Sequence, residues 1–265
     1  MPKVIAVFGA GSGLGVSLAR RFGREGFRVA LVARRKDRLD ALVEQLAGEG
    51  IEAAAFPGDL SLPAVAPVLV DAIRAHFGRI DVVEYGPIAG DMTFTPATRA
   101  DAATLEEFSR LLLLTPVEVF RAVLPEMTGR GDGALLMTTG YTAVQPMPFM
   151  SGPGPLAAAA RNYVYSLSGE LNDTGVYAGT LTVAHIVTGS EAAQRARTGD
   201  TKGIGGELPI GGELPTVHPD ELAQHYWDMY TKRDRVEQAH PAELTPSNNT
   251  TTTWSPTTNT SDRHH

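Results

Sequence analysis

An apolar run, Val4–Phe8, passes directly into Gly9-Ala10-Gly11-Ser12-Gly13-Leu14-Gly15, an order of residue types suited to holding a pyrophosphate. Backbone N–H groups and the positive end of a helix both attract phosphate oxygens, and a helix starting near Leu14 would supply both. Glycine suits such a turn because a Cβ would block the approach of the phosphates. A second apolar run, Arg28–Ala33, ends in Arg34-Arg35. An acidic residue there would accept hydrogen bonds from a ribose 2′-hydroxyl, whereas two arginines suit a 2′-phosphate, which favours NADP(H) over NAD(H). The other account of these arginines is an ordinary solvated helix face. Against it, cations at a helix N-terminus are unfavourable unless an anion is near, and Asp37 offsets this only in part. Asp59-Leu60, after a third apolar run, offers a carboxylate to an adenine amino group or, equally simply, an N-cap or turn residue after Pro57-Gly58.

The elements that must position these residues follow from the alternation of short apolar runs with helical patterns. Strands are expected near 3–8, 28–33, 51–56, 80–85, 133–138 and 178–185, with helices between them. That order predicts an α/β fold, a Rossmann-type doubly wound parallel sheet in a three-layer α/β/α single domain. Continuous apolar strands such as Ala134–Met137 fit a sheet covered on both faces. A helix is expected from Asp220 to about Arg233, with Leu222, Tyr226, Met229 and Tyr230 as its apolar stripe, and no seventh strand is expected after it. Residues 204–215 repeat Ile-Gly-Gly-Glu-Leu-Pro twice, which predicts a surface segment, either a lid over a ligand crevice or a plain loop.

The chain has 265 residues, 43% of them hydrophobic, enough for one sizeable domain. A net charge of −7 argues against a nucleic-acid surface, and zero cysteines exclude disulfides, thiolate metal sites and a cysteine nucleophile. No metal site is expected. The start leads straight into a core strand and no apolar run reaches membrane-spanning length, so the sequence reads as a soluble cytoplasmic protein. Residues 1–240 read as the NADP(H)-binding domain. Residues 241–265, rich in Thr, Asn, Ser and Pro from Thr245 onward, read as a disordered tail.

From about Lys3 to Arg235 the chain resembles the short-chain dehydrogenase/reductase family. The resemblance is carried by Gly9, Gly13 and Gly15, by Asp59-Leu60, by Gly78-Arg79-Ile80-Asp81, by Arg121-Ala122-Val123-Leu124-Pro125 and by Ser168-Gly169-Glu170-Leu171. It implies a nicotinamide cofactor bound across the carboxyl ends of the strands, and a homo-dimer or homo-tetramer built on two long helices. It also implies an Asn, Ser, Tyr, Lys catalytic set. Counted from the matching segments, the Tyr position falls at Pro153, the Lys position at Ala157, the Ser position near Gly140 and the Asn position near Leu112. The Asn-Asn-Ala-Gly usual after strand four reads Tyr85-Gly86-Pro87-Ile88, and the Pro-Gly after strand six reads His185-Ile186. An atypical active site is therefore expected.

Other polar residues fall at the strand ends. Tyr141 follows strand five and could donate a proton or shield the cofactor. His185, after strand six, could titrate near neutrality beside a nicotinamide or simply fill the proline position. Tyr85 could pack on the ribose or donate to substrate, and Gly86 beside it would border the cofactor. Glu84 is unusual on a buried strand and would be either paired or raised in pKa, with a structural partner favoured over a general base. Asp91 is a nearby loop acid, exposed by default. Thr139, Met147, Phe149 and Met150 would form a substrate wall, a role plain packing would fill with the same residue types. The reading that follows is an NADP(H)-binding oxidoreductase acting on an activated small apolar molecule, an iminium ion or conjugated carbonyl. One alternative is a cyclase, isomerase or lyase with the cofactor as scaffold, and a second is a non-catalytic NADP(H) sensor.

Overall fold

The computed structural model describes residues 1–88, 95–198 and 215–244. Asp91, nearly all of the 204–215 repeat and the tail from 245 onward lie outside the described residues. Residues 242–244, within the expected tail, form a 3-10 turn.

Seven parallel strands make the sheet: β1 (Val4–Phe8), β2 (Arg28–Ala33), β3 (Ala53–Pro57), β4 (Val82–Tyr85), β5 (Gly133–Gly140), β6 (Val176–Val183) and β9 (Glu237–His240), in the order β3-β2-β1-β4-β5-β6-β9. A separate parallel pair, β7 (Ile186–Val187) with β8 (Thr216–Val217), follows β6. All five residues of β1 are fully buried, as a strand covered on both faces demands. Asp81, just ahead of β4, is buried and accepts from the Val4 backbone N–H at 2.8 Å while Arg79 neutralises it, which fixes β4 against β1.

One face of the sheet carries α1 (Leu14–Gly23), α2 (Lys36–Gly48) and α8 (Pro219–Lys232); the other carries α3 (Val65–Phe77), α5 (Thr115–Arg130) and α6 (Pro153–Glu170). The helix α4 (Ala102–Ser109) runs through a π-turn at Arg110–Leu114 into α5, and α7 (Glu191–Thr198) follows β7. Phe22 of α1 meets Phe27 and Trp227 edge-on at 5.3 and 5.2 Å, so α1 and α8 share an aromatic seam. Burying a ring such as Phe22 contributes roughly 1.5–3 kcal/mol. The stripe Leu222, Tyr226, Met229 and Tyr230 is buried.

The seventh strand corrects the sequence reading. Glu237-Gln238-Ala239-His240 carries no apolar alternation, so periodicity did not reveal it. Its place at the edge is held by charge and hydrogen bonds: Glu237 accepts from Arg161 Nε at 2.9 Å, Tyr165 Oη at 2.7 Å and Thr182 Oγ1 at 2.6 Å. Burial pushes the Glu237 carboxyl up, but these donors hold it below its ordinary value. The expected sixth strand is shifted by two residues and ends at Val183, which leaves His185 in the loop beyond it.

Candidate functional site

The strand order reverses between β1 and β4, and in sheets of this kind the crevice at that reversal, outside the carboxyl ends, receives ligands. Three glycines let the chain close there. Gly9 has φ +101°, and a Cβ on it would stand 2.6 Å from the Pro87 backbone nitrogen. A Cβ on Gly15 would meet Ala10 Cα at 2.8 Å, and one on Gly86 would meet Glu84 Oε1 at 2.5 Å. The loops after β1 and β4 therefore touch, and only glycine permits it. Gly11 borders no such obstruction. α1 begins at Leu14 with no side chain capping it and no acid in its first turn, so its positive end is left for an anion.

A segment unforeseen in the sequence lies over this turn. Ser12 Oγ donates to the Gly189 carbonyl at 2.9 Å, and the face of Gly13 that lacks a Cβ is bordered by Ser190 at 3.1–3.3 Å. One residue further, Glu191 opens α7 and accepts ion pairs from both Arg35 and Arg38. Arg34 and Arg35 are exposed just beyond the end of β2. No local signal marks Ser190 or Glu191, because their partners lie more than 150 residues away in the chain.

The other expected cofactor residues are placed differently. Asp59 accepts from the Ser61 backbone N–H at 3.0 Å and its hydroxyl at 2.8 Å, closing a turn. Leu60 is buried, and its carbonyl accepts from Thr115 Oγ1 at 2.8 Å. Tyr85 stacks on Phe8 within the core and gives its hydroxyl proton to the Leu111 carbonyl in the π-turn at 2.6 Å. Burial pushes its pKa well up, so this phenol is held as a structural donor.

Glu84 is 2% exposed and accepts from Thr138 Oγ1 at 2.6 Å, and Thr138 lies 2.7 Å from the buried Tyr226 hydroxyl. Desolvation pushes the Glu84 pKa up to about 8, against which the Thr138 hydrogen bond acts weakly. The chain Tyr226–Thr138–Glu84 links α8 through β5 to β4, directly beneath Gly86. This is the structural partner expected for Glu84, and it comes from β5.

At the end of β5, Thr139 is buried and paired with Thr182 of β6 at 2.9 Å, so its hydroxyl belongs to an inter-strand cluster. Gly140 ends the strand. Tyr141, half-buried, opens a 3-10 turn whose backbone closes on Val144 and Gln145. Pro153 is buried as the first residue of α6, Ala157 is one turn on, and Leu112 lies in the π-turn. Met150 bridges to Thr95, and Met147 accepts from the Met150 N–H at 3.2 Å. Between them Phe149, 36% exposed, is held at φ +66°. A bulky residue in the left-handed region stores strain, so this loop is shaped by its contacts and not by local preference. His185 is half-buried, packs edge-on against His240 with ring centres 5.2 Å apart, and has a buried Nδ1 with no hydrogen-bond partner. Among the described residues, no helix is long and apolar enough to cross a membrane.

A seven-stranded parallel sheet with this glycine turn at its reversal defines a dinucleotide-binding class. The family model for short chain dehydrogenases matches residues 3–199, and the chain belongs to that family. A short chain dehydrogenase of Pseudocercospora fijiensis is 30% identical over 176 residues, which cover 66% of this chain but only 56% of that relative. Among solved structures, an alcohol dehydrogenase of Thermococcus sibiricus complexed with 5-hydroxy-NADP superposes with a TM-score of 0.73 at 25% identity, covering 90% of this chain and 96% of the other. A short chain oxidoreductase of Pseudomonas aeruginosa PAO1, with NADPH bound and an atypical catalytic center, gives 0.74 at 21% identity over 89% and 95%. At that identity the second likeness is one of fold.

Proposed function

We propose that this chain binds NADP(H) at the carboxyl ends of β1, β2 and β4 and works as an oxidoreductase on an activated small apolar substrate, an iminium ion or a conjugated carbonyl. The observation that carries the reading is the combination of an uncapped α1 behind the Gly9–Gly15 turn with two exposed arginines after β2. Gly9, Gly11, Ser12, Gly13, Leu14 and Gly15 would cradle the pyrophosphate, Arg34 and Arg35 the 2′-phosphate, and the backbone of the Asp59-Leu60 turn and of Tyr85-Gly86 would border the adenine and ribose. The solved Thermococcus sibiricus structure with bound 5-hydroxy-NADP supports this assignment.

The coenzyme supplies the hydride. What the chain adds at the reacting end is weak in acid: Pro153 and Ala157 stand where the family carries its tyrosine and lysine, and neither ionises. General acid help contributes roughly a hundred- to ten-thousandfold. A site that omits it suits an acceptor already polarised, with Tyr141, His185 or water as donor and Met147, Phe149 and Met150 as the apolar wall. Tyr85 is the weakest of the proposed donors, since Leu111 holds its proton. Homo-oligomerisation through α5 and α6 belongs to the same proposal.

The test is NADPH consumption followed at the nicotinamide absorbance band with a panel of cyclic iminium ions, enones and plain ketones. Consumption with the first two and not the third is the expected result. The inert residues at 153 and 157 equally favour a non-redox enzyme that uses the coenzyme as scaffold, for which product would form with the absorbance unchanged. Coenzyme binding with no turnover would leave the sensor, and no binding at all would overturn the proposal.

A further inference from the structure

Three side chains able to ligate a metal converge at the carboxyl end of β9, away from the glycine turn. Glu221 and His225 are four residues apart on α8 and so share one helix face, and His240 is the last residue of β9. His225 Nε2 lies 3.2 Å from His240 Nδ1, and Glu221 Oε1 lies 3.8 Å from the same nitrogen. One ligand atom from each residue falls within 4.8 Å of the other two. The edge-on ring of His185 packs against His240 from the β6 loop, which in-register pairing of Val183 with His240 brings alongside.

We propose that Glu221, His225 and His240 form a binding site for a divalent ion of the zinc class, with one coordination position left open. Two nitrogens held about 2.0–2.1 Å from a tetrahedral ion stand about 3.3 Å apart, which is the separation of the two imidazoles to within rotamer adjustment. Two histidines and one carboxylate are a donor set zinc accepts, and it is the set found where a fourth position stays open. A plain hydrogen bond between the two rings accounts for their separation alone, whereas an ion would gather the carboxylate, 3.8 Å from the same nitrogen, into the same arrangement. The sequence reading expected no metal because the three ligands are split between two elements and no cysteine or short His-x-His spacing announces them.

The site would act as a clip. α8 and β9 are consecutive, yet β9 is a four-residue edge strand whose ladder rests on β6 alone among the described residues. An ion would tie it to α8 and would stand beside His185, whose ring packs against His240.

The site can be tested by titrating Co²⁺ into the full chain, carrying His264→Ala and His265→Ala to remove the terminal histidine pair. The expected result is one equivalent of ion giving the visible bands of a four-coordinate cobalt, displaced by Zn²⁺, together with a zinc-dependent rise in melting temperature. His225→Ala and His240→Ala should each weaken binding by at least about a hundredfold. Glu221→Gln, at an exposed position that leaves the fold intact, should weaken it by about tenfold and serves if either histidine variant fails to fold. Absence of bands and of any thermal shift, or bands that persist unchanged in Glu221→Gln and His225→Ala, would overturn the site and leave a simple pair of hydrogen-bonded imidazoles.

Discussion

Arg35 at the end of β2 and Glu191 at the start of α7 form an ion pair across 156 residues of sequence, with Arg38 sharing the same carboxylate. A carboxylate thus sits among the guanidinium groups to which the proposal assigns the coenzyme's 2′-phosphate. Under that proposal Glu191 and the phosphate would compete for one cationic patch.

Glu191→Gln should therefore tighten NADPH binding by up to about fivefold, since an exposed ion pair of this kind is worth up to about 1 kcal/mol. NADH, which has no 2′-phosphate, should bind as before. Fluorescence titration of the two coenzymes checks it; equal tightening of both would refute the competition.

Arg35→Ala should weaken NADPH binding by roughly ten- to a hundredfold, the loss of a charge-assisted hydrogen bond to phosphate, and leave NADH within about twofold. The ratio of the two dissociation constants is the readout. An unchanged ratio would return this arginine to an ordinary solvated helix face.

Glu84 makes stability pH-dependent in a definite direction. Its pKa stands at about 8 in the folded chain against 4.5 for the free side chain. Below 4.5 both states are protonated and nothing is lost. As pH rises from there to about 8, the unfolded chain releases a proton the folded chain retains, so stability falls, and above 8 the loss is constant. At about 1.4 kcal/mol per pKa unit the full effect is several kcal/mol. Glu84→Gln, which keeps an acceptor for Thr138, should melt several degrees higher than wild type at pH 8 and no higher at pH 4. A wild-type melting curve that does not change across this range would contradict the assignment.

Gly9→Ala should be tolerated poorly. Its φ of +101° disfavours any side chain, and the new methyl would stand 2.6 Å from the Pro87 backbone. The cost is about 2 kcal/mol or more, with loss of coenzyme binding because the loops after β1 and β4 must part. Differential scanning fluorimetry with and without NADPH separates the two effects. Gly26→Ala, at φ +84° but with open space around it, should cost only about 1 kcal/mol and leave binding untouched.

Six of the seven sheet strands were legible because each is a run of apolar residues with one reason to be buried. β9 was hidden because Glu237 holds it through Arg161, a partner 76 residues away that no local pattern points to. The glycine turn was equally readable, since backbone crowding leaves glycine as the one choice. The roles of single polar residues were not. Asp59 and Tyr85 have the types a coenzyme contact needs, yet Ser61 and Leu111 hold their polar atoms, and those partners are fixed only once loops and helices pack. Likewise the pairing of Thr139 with Thr182 depends on strand register, which composition does not disclose.

The polar character of β9 has a protective side. A chain cut before Glu237 would leave β6, eight residues long and buried almost throughout, as a bare row of unsatisfied amides and carbonyls at the rim. Such a rim recruits whatever extended backbone it meets, including another copy of itself. Four residues, fastened by one half-buried carboxylate, thus cover that rim.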